Sequence, residues 1–193
     1  MRSDLDISEK NIVALDEAGR GCLSGPVVAA AVILPKDFES TLIRDSKKMT
    51  EKQREKAYDI IKEVAIDYSV FYADAKIIDD INILQATMTS MHNCLVAIEK
   101  PFSRIIVDGN YFKPFRDYEH TCIIKGDDTY YSIAAASILA KVSRDRYMKK
   151  LHQEFPIYKW ESNKGYGSKE HIKAIKDNGI TEYHRKSFLK NII

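Results

Sequence analysis

The chain has 193 residues, 45% hydrophobic and 30% charged, with a formal net charge of +2, a balance that suits one soluble globular domain and excludes wholesale disorder. Its longest unbroken apolar run, residues 27–34, falls well short of the roughly 20 residues needed to cross a bilayer. The charged opening, residues 1–10, lacks an apolar signal-peptide region, so neither membrane insertion nor secretion is expected.

In chain order, residues 12–15 form a short apolar run that stops at Asp16-Glu17-Ala18-Gly19, the pattern of a buried strand ending in a turn. After Gly25-Pro26, residues 27–34 predict a second strand closed by Pro35. Thr50-Glu51-Lys52-Gln53 is a capping box, and Ala57, Ile60, Ile61, Val64 and Ala65 continue it at helical spacing. Residues 68–72 predict a third strand. Leu84, Met88, Met91, Leu95 and Ile98 predict an amphipathic helix over 83–99. Strands are then expected at 104–107, ending in Asp108-Gly109-Asn110, and at 122–124, ending in Lys125-Gly126-Asp127. A long helix follows over 132–151, its first half rich in alanine, and a short one over 168–177. The order predicts an α/β fold with a helical C-terminal appendage.

Cys22, Cys94 and Cys122 are odd in number, widely spaced and without a C-x-x-C pair, which argues against a disulfide framework or a zinc knuckle and for buried thiols in a reducing cytosol. Positive charge gathers late. Residues 141–193 carry 13 Lys+Arg against 6 Asp+Glu, and the remainder 17 against 22. Such a chain suits a polyanion held beside an acidic body, or merely a solvated helical surface.

Three predicted strands end in acids beside glycine: Asp16 with Glu17, Asp108, and Asp127. Sites in open α/β sheets form at the carboxyl ends of strands. If these ends are neighbours, the carboxylates converge, and such hard-oxygen clusters suit Mg²⁺ or Mn²⁺ and phosphodiester hydrolysis. Because consecutive strand residues face opposite ways, Glu17 shares a site with Asp16 only if the strand ends or bulges there. The segment Gly19-Arg20-Gly21-Cys22-Leu23-Ser24-Gly25 fails the dinucleotide G-x-G-x-x-G test, since Ser24 stands in the third glycine position. Close backbone approach to a phosphate or sugar is the better use of Gly19 and Gly21. Of five histidines only His184 has a suggestive setting.

Asp16-Glu17-Ala18-Gly19-Arg20-Gly21 and the run from Gly25-Pro26 resemble the opening of bacterial ribonuclease HII. Asp45-Ser46-Lys47-Lys48, Ile81-Asn82-Ile83-Leu84, Asp108-Gly109-Asn110 and Lys125-Gly126-Asp127 keep that family's order. So do the helix 134–142, Arg144-Asp145, Asn163-Lys164-Gly165-Tyr166-Gly167 and His184-Arg185-Lys186-Ser187-Phe188. The resemblance implies a ribonuclease H-like mixed sheet flanked by helices, as a single domain over 1–193 whose basic segment, about 152–193, binds substrate. It implies a cytoplasmic endonuclease, monomeric by default, that cuts the RNA strand of RNA–DNA hybrids. It would also cut 5′ of single ribonucleotides in duplex DNA, leaving 5′-phosphate and 3′-hydroxyl ends in replication-associated repair. By the same resemblance Asp16, Glu17, Asp108 and Asp127 hold Mn²⁺ or Mg²⁺, two ions in the substrate complex. Gly19, Arg20, Gly21 and Tyr166 would read the ribose, and Ser46 and Lys47 would hold phosphates.

Two departures stand out. Cys22 replaces the more usual proline, which would loosen that turn, and Asp128 beside Asp127 leaves a swap of roles open. The rivals are a ribonuclease HIII preferring RNA tracts, a resolvase- or transposase-like DNA nuclease indifferent to the 2′-hydroxyl, and a non-enzymatic nucleic-acid-binding module.

Overall fold

The computed structural model describes residues 11–43, 46–190 and 192; the opening residues 1–10 and Asp45 of the Asp-Ser-Lys-Lys motif lie outside the described residues. Five strands, β1 (Ile12–Ala18), β2 (Val27–Ile33), β3 (Asp67–Ala73), β4 (Arg104–Asp108) and β5 (Glu119–Ile123), form one mixed sheet in the order β3-β2-β1-β4-β5. β1, β2 and β3 pair antiparallel, while β4 runs parallel to β1 and β5 parallel to β4. The α/β, ribonuclease H-like sheet expected from the resemblance is therefore present.

The helices α1 (Glu51–Val64), α2 (Ala75–Ala97) and α3 (Tyr131–Glu154) cover it. Strand alternation divides the core between two faces. Ile12, Ala14, Ala30, Val32 and Ile106 pack on one side with α1 and α3 residues, including Ile61, Ala135, Ile138 and Leu139. Val13, Leu15, Ala29, Ala31, Ile33, Ile105 and Val107 pack on the other with Met88, Met91 and Leu95 of α2. Every residue of β2 is buried, which explains its unbroken apolar run. Ala134, Ala135, Ala136 and Ala140 are likewise fully buried, and their small side chains let α3 lie close to the sheet.

Beyond α3 come the single-turn helix α4 (Trp160–Asn163) and α5 (Lys169–Asn178). They gather with the end of α3 around the fully buried Trp160, in contact with Tyr158, Met148, Leu151, Ile175 and Leu189. The C-terminal segment also returns to the loop after β1: the Gly25 N–H donates to the Tyr183 carbonyl at 2.8 Å and the Arg185 N–H to Leu23 at 2.9 Å.

Three elements differ from expectation, among them β5, which runs over Glu119–Ile123 instead of 122–124. β1 continues through Asp16 and Glu17 to Ala18 instead of stopping at Leu15. The helix expected from Ile83 starts at Ala75, capped by Asp74, and is interrupted at Asn82 (φ 65°). The Asn82 side chain accepts the N–H groups of Leu84 and Gln85, so it caps the second stretch, where the apolar rhythm begins. Cys22 and Cys94 are buried, but Cys122 is partly exposed, a correction to the expectation of three buried thiols.

Thr50 and Gln53 make both bonds of the capping box at the start of α1. Thr50→Ala is expected to lower unfolding free energy by about 1 kcal/mol, seen as a lower urea midpoint with an unchanged denaturant slope.

Candidate active site

Parallel pairing of β1 with β4 sets Leu15 opposite Val107. One residue farther along come Asp16 and Asp108, both on the face covered by α3, because they continue the alternation of Ile12 and Ala14 and of Ile106. Asp127 arrives from a single 3-10 turn, Gly126–Asp128, after β5. The Gly126 N–H donates to Asp108 Oδ1 at 2.8 Å, which ties that turn to β4. A Cβ on Gly126 would sit 2.5 Å from Ile133 Cδ1, so a larger residue there would make the Ile133 side chain shift. Each of the three aspartates offers an oxygen within 4.8 Å of the others.

Glu17 stands apart from this set. It follows Asp16 on the strand; its own N–H donates to Asp16 Oδ1 at 2.6 Å, and its carboxylate meets Arg20 at 3.3 Å while still feeling the charge of Asp108. It lines the rim of the same cleft. The neighbouring acids at the β5 turn also separate: Asp127 is buried and faces Lys47 at 3.1 Å, whereas Asp128 is exposed and pairs with Lys48 at 2.7 Å. That difference decides between them in favour of Asp127 as the member of the cluster.

Burial pushes the Asp16 carboxyl well above the usual carboxylate range, and the nearby charges of Glu17 and Asp108 push it farther. Burial and Asp127 raise Asp108, against the pull of the Gly126 N–H. Glu17 is raised by burial and pulled back by Arg20. Oxygen-only donors, tightly grouped and mutually repelling, are the chemistry of a divalent Mg²⁺ or Mn²⁺ site. The three aspartates fit such an ion.

The adjoining cleft, about 270 Å³, is lined by Gly19, Arg20, Gly21, Ser46, Lys47 and Tyr166, every residue expected to contact substrate. Ser137 and Lys141 of α3 line it as well and were not singled out from the sequence. Their spacing, one helical turn on one face, is the signal that was available. Ser137 lies near Asp16 and favours its charged form, and its Oγ lies 2.9 Å from that of Ser46.

The glycine loop has one orientation. The carbonyls of Gly19 and Arg20 point inward to Arg185. Peptides here are trans, so the next N–H groups, of Arg20 and Gly21, point the opposite way, toward the cleft that both residues line. Gly19 has φ +92°, and a Cβ there would lie 2.0 Å from Arg144 Nε. Tyr166 stands 44% exposed across the cleft, its ring centre 5.8 Å from both Lys141 Nζ and the Arg144 guanidinium carbon. Cys22 is buried near Tyr166, and its N–H reaches the Gly19 carbonyl at 3.4 Å.

Two further expectations change. His184 is buried, with Nδ1 accepting the Thr181 N–H at 3.0 Å and its ring against Tyr158 and Trp160; it is a packing residue outside the cleft. The positive excess of residues 141–193 is not all surface, because Arg144 and Arg185 are fully buried.

Comparison with known proteins gives one family. The family model described as Ribonuclease HII matches residues 13–191. A ribonuclease HII of Christiangramia forsetii is 54% identical over 177 residues, covering 92% of this chain and 89% of that protein. The crystal structure of ribonuclease H2 from Pyrococcus horikoshii OT3 superposes with a TM-score of 0.77 at 28% identity, over 95% of this chain and 97% of that one. Bst ribonuclease HIII in complex with Mn²⁺ shares the fold, with a TM-score of 0.75 at 17% identity over 92% of this chain and 66% of that one.

The raised Asp16 carboxyl makes a prediction for the metal-free protein. A folded-state value above the unfolded one means that the group opposes folding increasingly as pH rises past the unfolded value and fully above the raised one, by about 1.4 kcal/mol per pH unit of displacement. In EDTA at pH 8, Asp16→Asn should therefore melt at a higher temperature than the wild type. The gain should shrink as pH falls through the raised value toward the ordinary 3.8 of the carboxyl.

Proposed function

This chain belongs to the ribonuclease HII family and is a ribonuclease H of type HII; we propose that it cuts on the 5′ side of ribonucleotides, in RNA–DNA hybrids and singly embedded in duplex DNA, using Mn²⁺ or Mg²⁺. The observation that carries this reading is the meeting of two features in one cleft. Three aspartates with oxygens inside 4.8 Å of one another stand beside a glycine loop that lines the same cleft as a half-exposed tyrosine.

Asp16, Asp108 and Asp127 would hold the ions, with Glu17 at the rim as a further ligand once substrate is bound. Divalent ions in such a cluster supply positive charge to the attacking water and to the departing oxygen. The protein's own part is to place the phosphate. The Arg20 and Gly21 N–H groups donate to the ribose 2′-hydroxyl or its phosphate, the Tyr166 ring packs on the sugar, and Ser46 and Lys47 hold neighbouring phosphates. A 2′-hydroxyl both donates and accepts, so it is the local mark of RNA. A deoxyribose leaves the loop donors facing nothing, and a buried donor without a partner costs about 1–3 kcal/mol.

Water enters at phosphorus, the P–O3′ bond breaks, and O3′ leaves as a hydroxyl after gaining a proton. The ribonucleotide keeps the 5′-phosphate. Lysines of the C-terminal segment hold the duplex, so affinity should fall as salt rises. Among the described residues no helix is long and apolar enough to cross a membrane, and the proposed setting is a cytoplasmic monomer acting in ribonucleotide removal.

The test uses matched duplexes with no, one or four ribonucleotides, with and without chelator. Metal-dependent cutting of the one-ribonucleotide duplex, none of all-DNA, supports the reading. Equal cutting of all-DNA points to a DNA nuclease, a strong preference for four ribonucleotides to a type HIII specificity, and binding without cutting to a non-enzymatic module. Asp108→Asn should cut at most about one-hundredth as fast while keeping its circular dichroism spectrum. Removing the stacking platform with Tyr166→Ala should reduce ribose-over-deoxyribose preference by about tenfold or more.

A further inference from the structure

We propose that Arg144 and Arg185 are positioning residues for ribose recognition, two buried guanidiniums that lock the Gly19–Gly21 backbone and Tyr166 at one fixed separation. The inference rests on the ribose-reading role proposed above and goes beyond it to what sets that geometry.

Both side chains are 0% exposed, yet neither forms an ion pair with a carboxylate among the described residues. Burying two like charges without counter-ions is costly, and packing alone would be better served by an apolar side chain. Their donors go to main-chain carbonyls instead. Arg185 gives Nη2 to Gly19 at 2.7 Å, Nη1 to Arg20 at 2.8 Å and Nε to Gly25 at 3.0 Å. Arg144 gives Nε to Pro26 at 2.9 Å, Nη2 to Ser24 at 3.0 Å and Nη1 to Lys164 at 2.7 Å.

Six carbonyls from two distant chain segments are thus held by two rigid planar forks. Arg185 turns the Gly19 and Arg20 carbonyls inward, which is what turns the following N–H groups outward. Arg144 binds the loop on one side and the residue before Gly165-Tyr166 on the other, with its guanidinium beside the tyrosine ring. The 165–167 turn is also joined to the loop directly, since Leu23 and Ser24 N–H groups donate to the Gly165 carbonyl at 2.8 and 3.3 Å. Burial pulls Arg185 down to about 10, which still leaves it charged at neutral pH.

Arg185 is itself placed from outside the core. Asp79 of α2 accepts the N–H groups of Lys186 and Ser187, each at 2.9 Å, and so anchors the segment that carries the guanidinium. Asp79→Ala therefore relaxes Arg185 without removing it from the core.

The experiment measures kcat and KM on a one-ribonucleotide duplex and on its all-DNA match, at a temperature where circular dichroism shows each variant folded. Lysine offers a point charge in place of a fork. Arg185→Lys is expected to lose about 100-fold in kcat on the ribonucleotide duplex, since a misplacement near 1 Å has that effect, while KM moves little. Asp79→Ala, which keeps the core intact if the lysine variant does not fold, should lose about tenfold in the same parameter. Added methylguanidinium should restore part of the kcat lost in Arg185→Ala. Wild-type kcat and KM in folded Arg185→Lys or Asp79→Ala would overturn the inference while leaving the activity standing. A wild-type protein that leaves the ribonucleotide uncut removes the reading beneath it.

Discussion

Repulsion among carboxylates brought together at the carboxyl ends of β1 and β4 is the constraint on which the site depends. Asp16 and Asp108 are placed side by side by strand register, with no freedom to move apart while the β1–β4 ladder holds. The surrounding structure compensates locally. The Glu17 N–H bonds Asp16, with Ser137 nearby, the Gly126 N–H bonds Asp108, and Lys47 faces Asp127. These bonds reduce the repulsion without abolishing it, as the upward displacement of Asp16 and Asp108 shows. A rigid sheet thus stores an unfavourable charge arrangement that divalent cations relieve.

The second requirement is a sugar-facing surface held at the right distance from that charge. Loops alone would supply it poorly, because Gly19 and Gly21 are conformationally permissive. Here the loop after β1, the 163–167 turn and the C-terminal segment are tied into one body through buried guanidinium–carbonyl bonds and the bridge between Ser24 and His184. A separate hydrophobic cluster around Trp160 packs against this body. The C-terminal residues therefore do more than add positive charge, since they shape the backbone of the glycine loop that lines the cleft.

Much of this was legible in the sequence. Alternation and apolar runs located all five strands, Thr50 and Gln53 announced α1, and acids beside glycines marked three strand ends. Long-range register was not legible: nothing local says that Leu15 faces Val107, and so nothing local separates Asp16 from Glu17. The stop expected at Leu15 failed because a buried carboxylate with hydrogen-bond partners can continue a strand that composition alone would end. Residues 75–81 were missed because two acids interrupt their apolar pattern, and the break at Asn82 restarts the helical phase. Arg144 and Arg185 stood in motifs of the resemblance and in the charge count but without a role, since a guanidinium that binds main-chain carbonyls leaves no acidic partner to find by spacing.

The central claim is that Asp16, Asp108 and Asp127 form one divalent-cation site. Anomalous X-ray scattering from crystals of the protein soaked in MnCl₂ tests it most directly. A manganese peak at about 2.0–2.2 Å from carboxylate oxygens of all three aspartates, lost in crystals of Asp108→Asn, is the result expected. Manganese elsewhere on the protein with none among these three side chains would contradict the account.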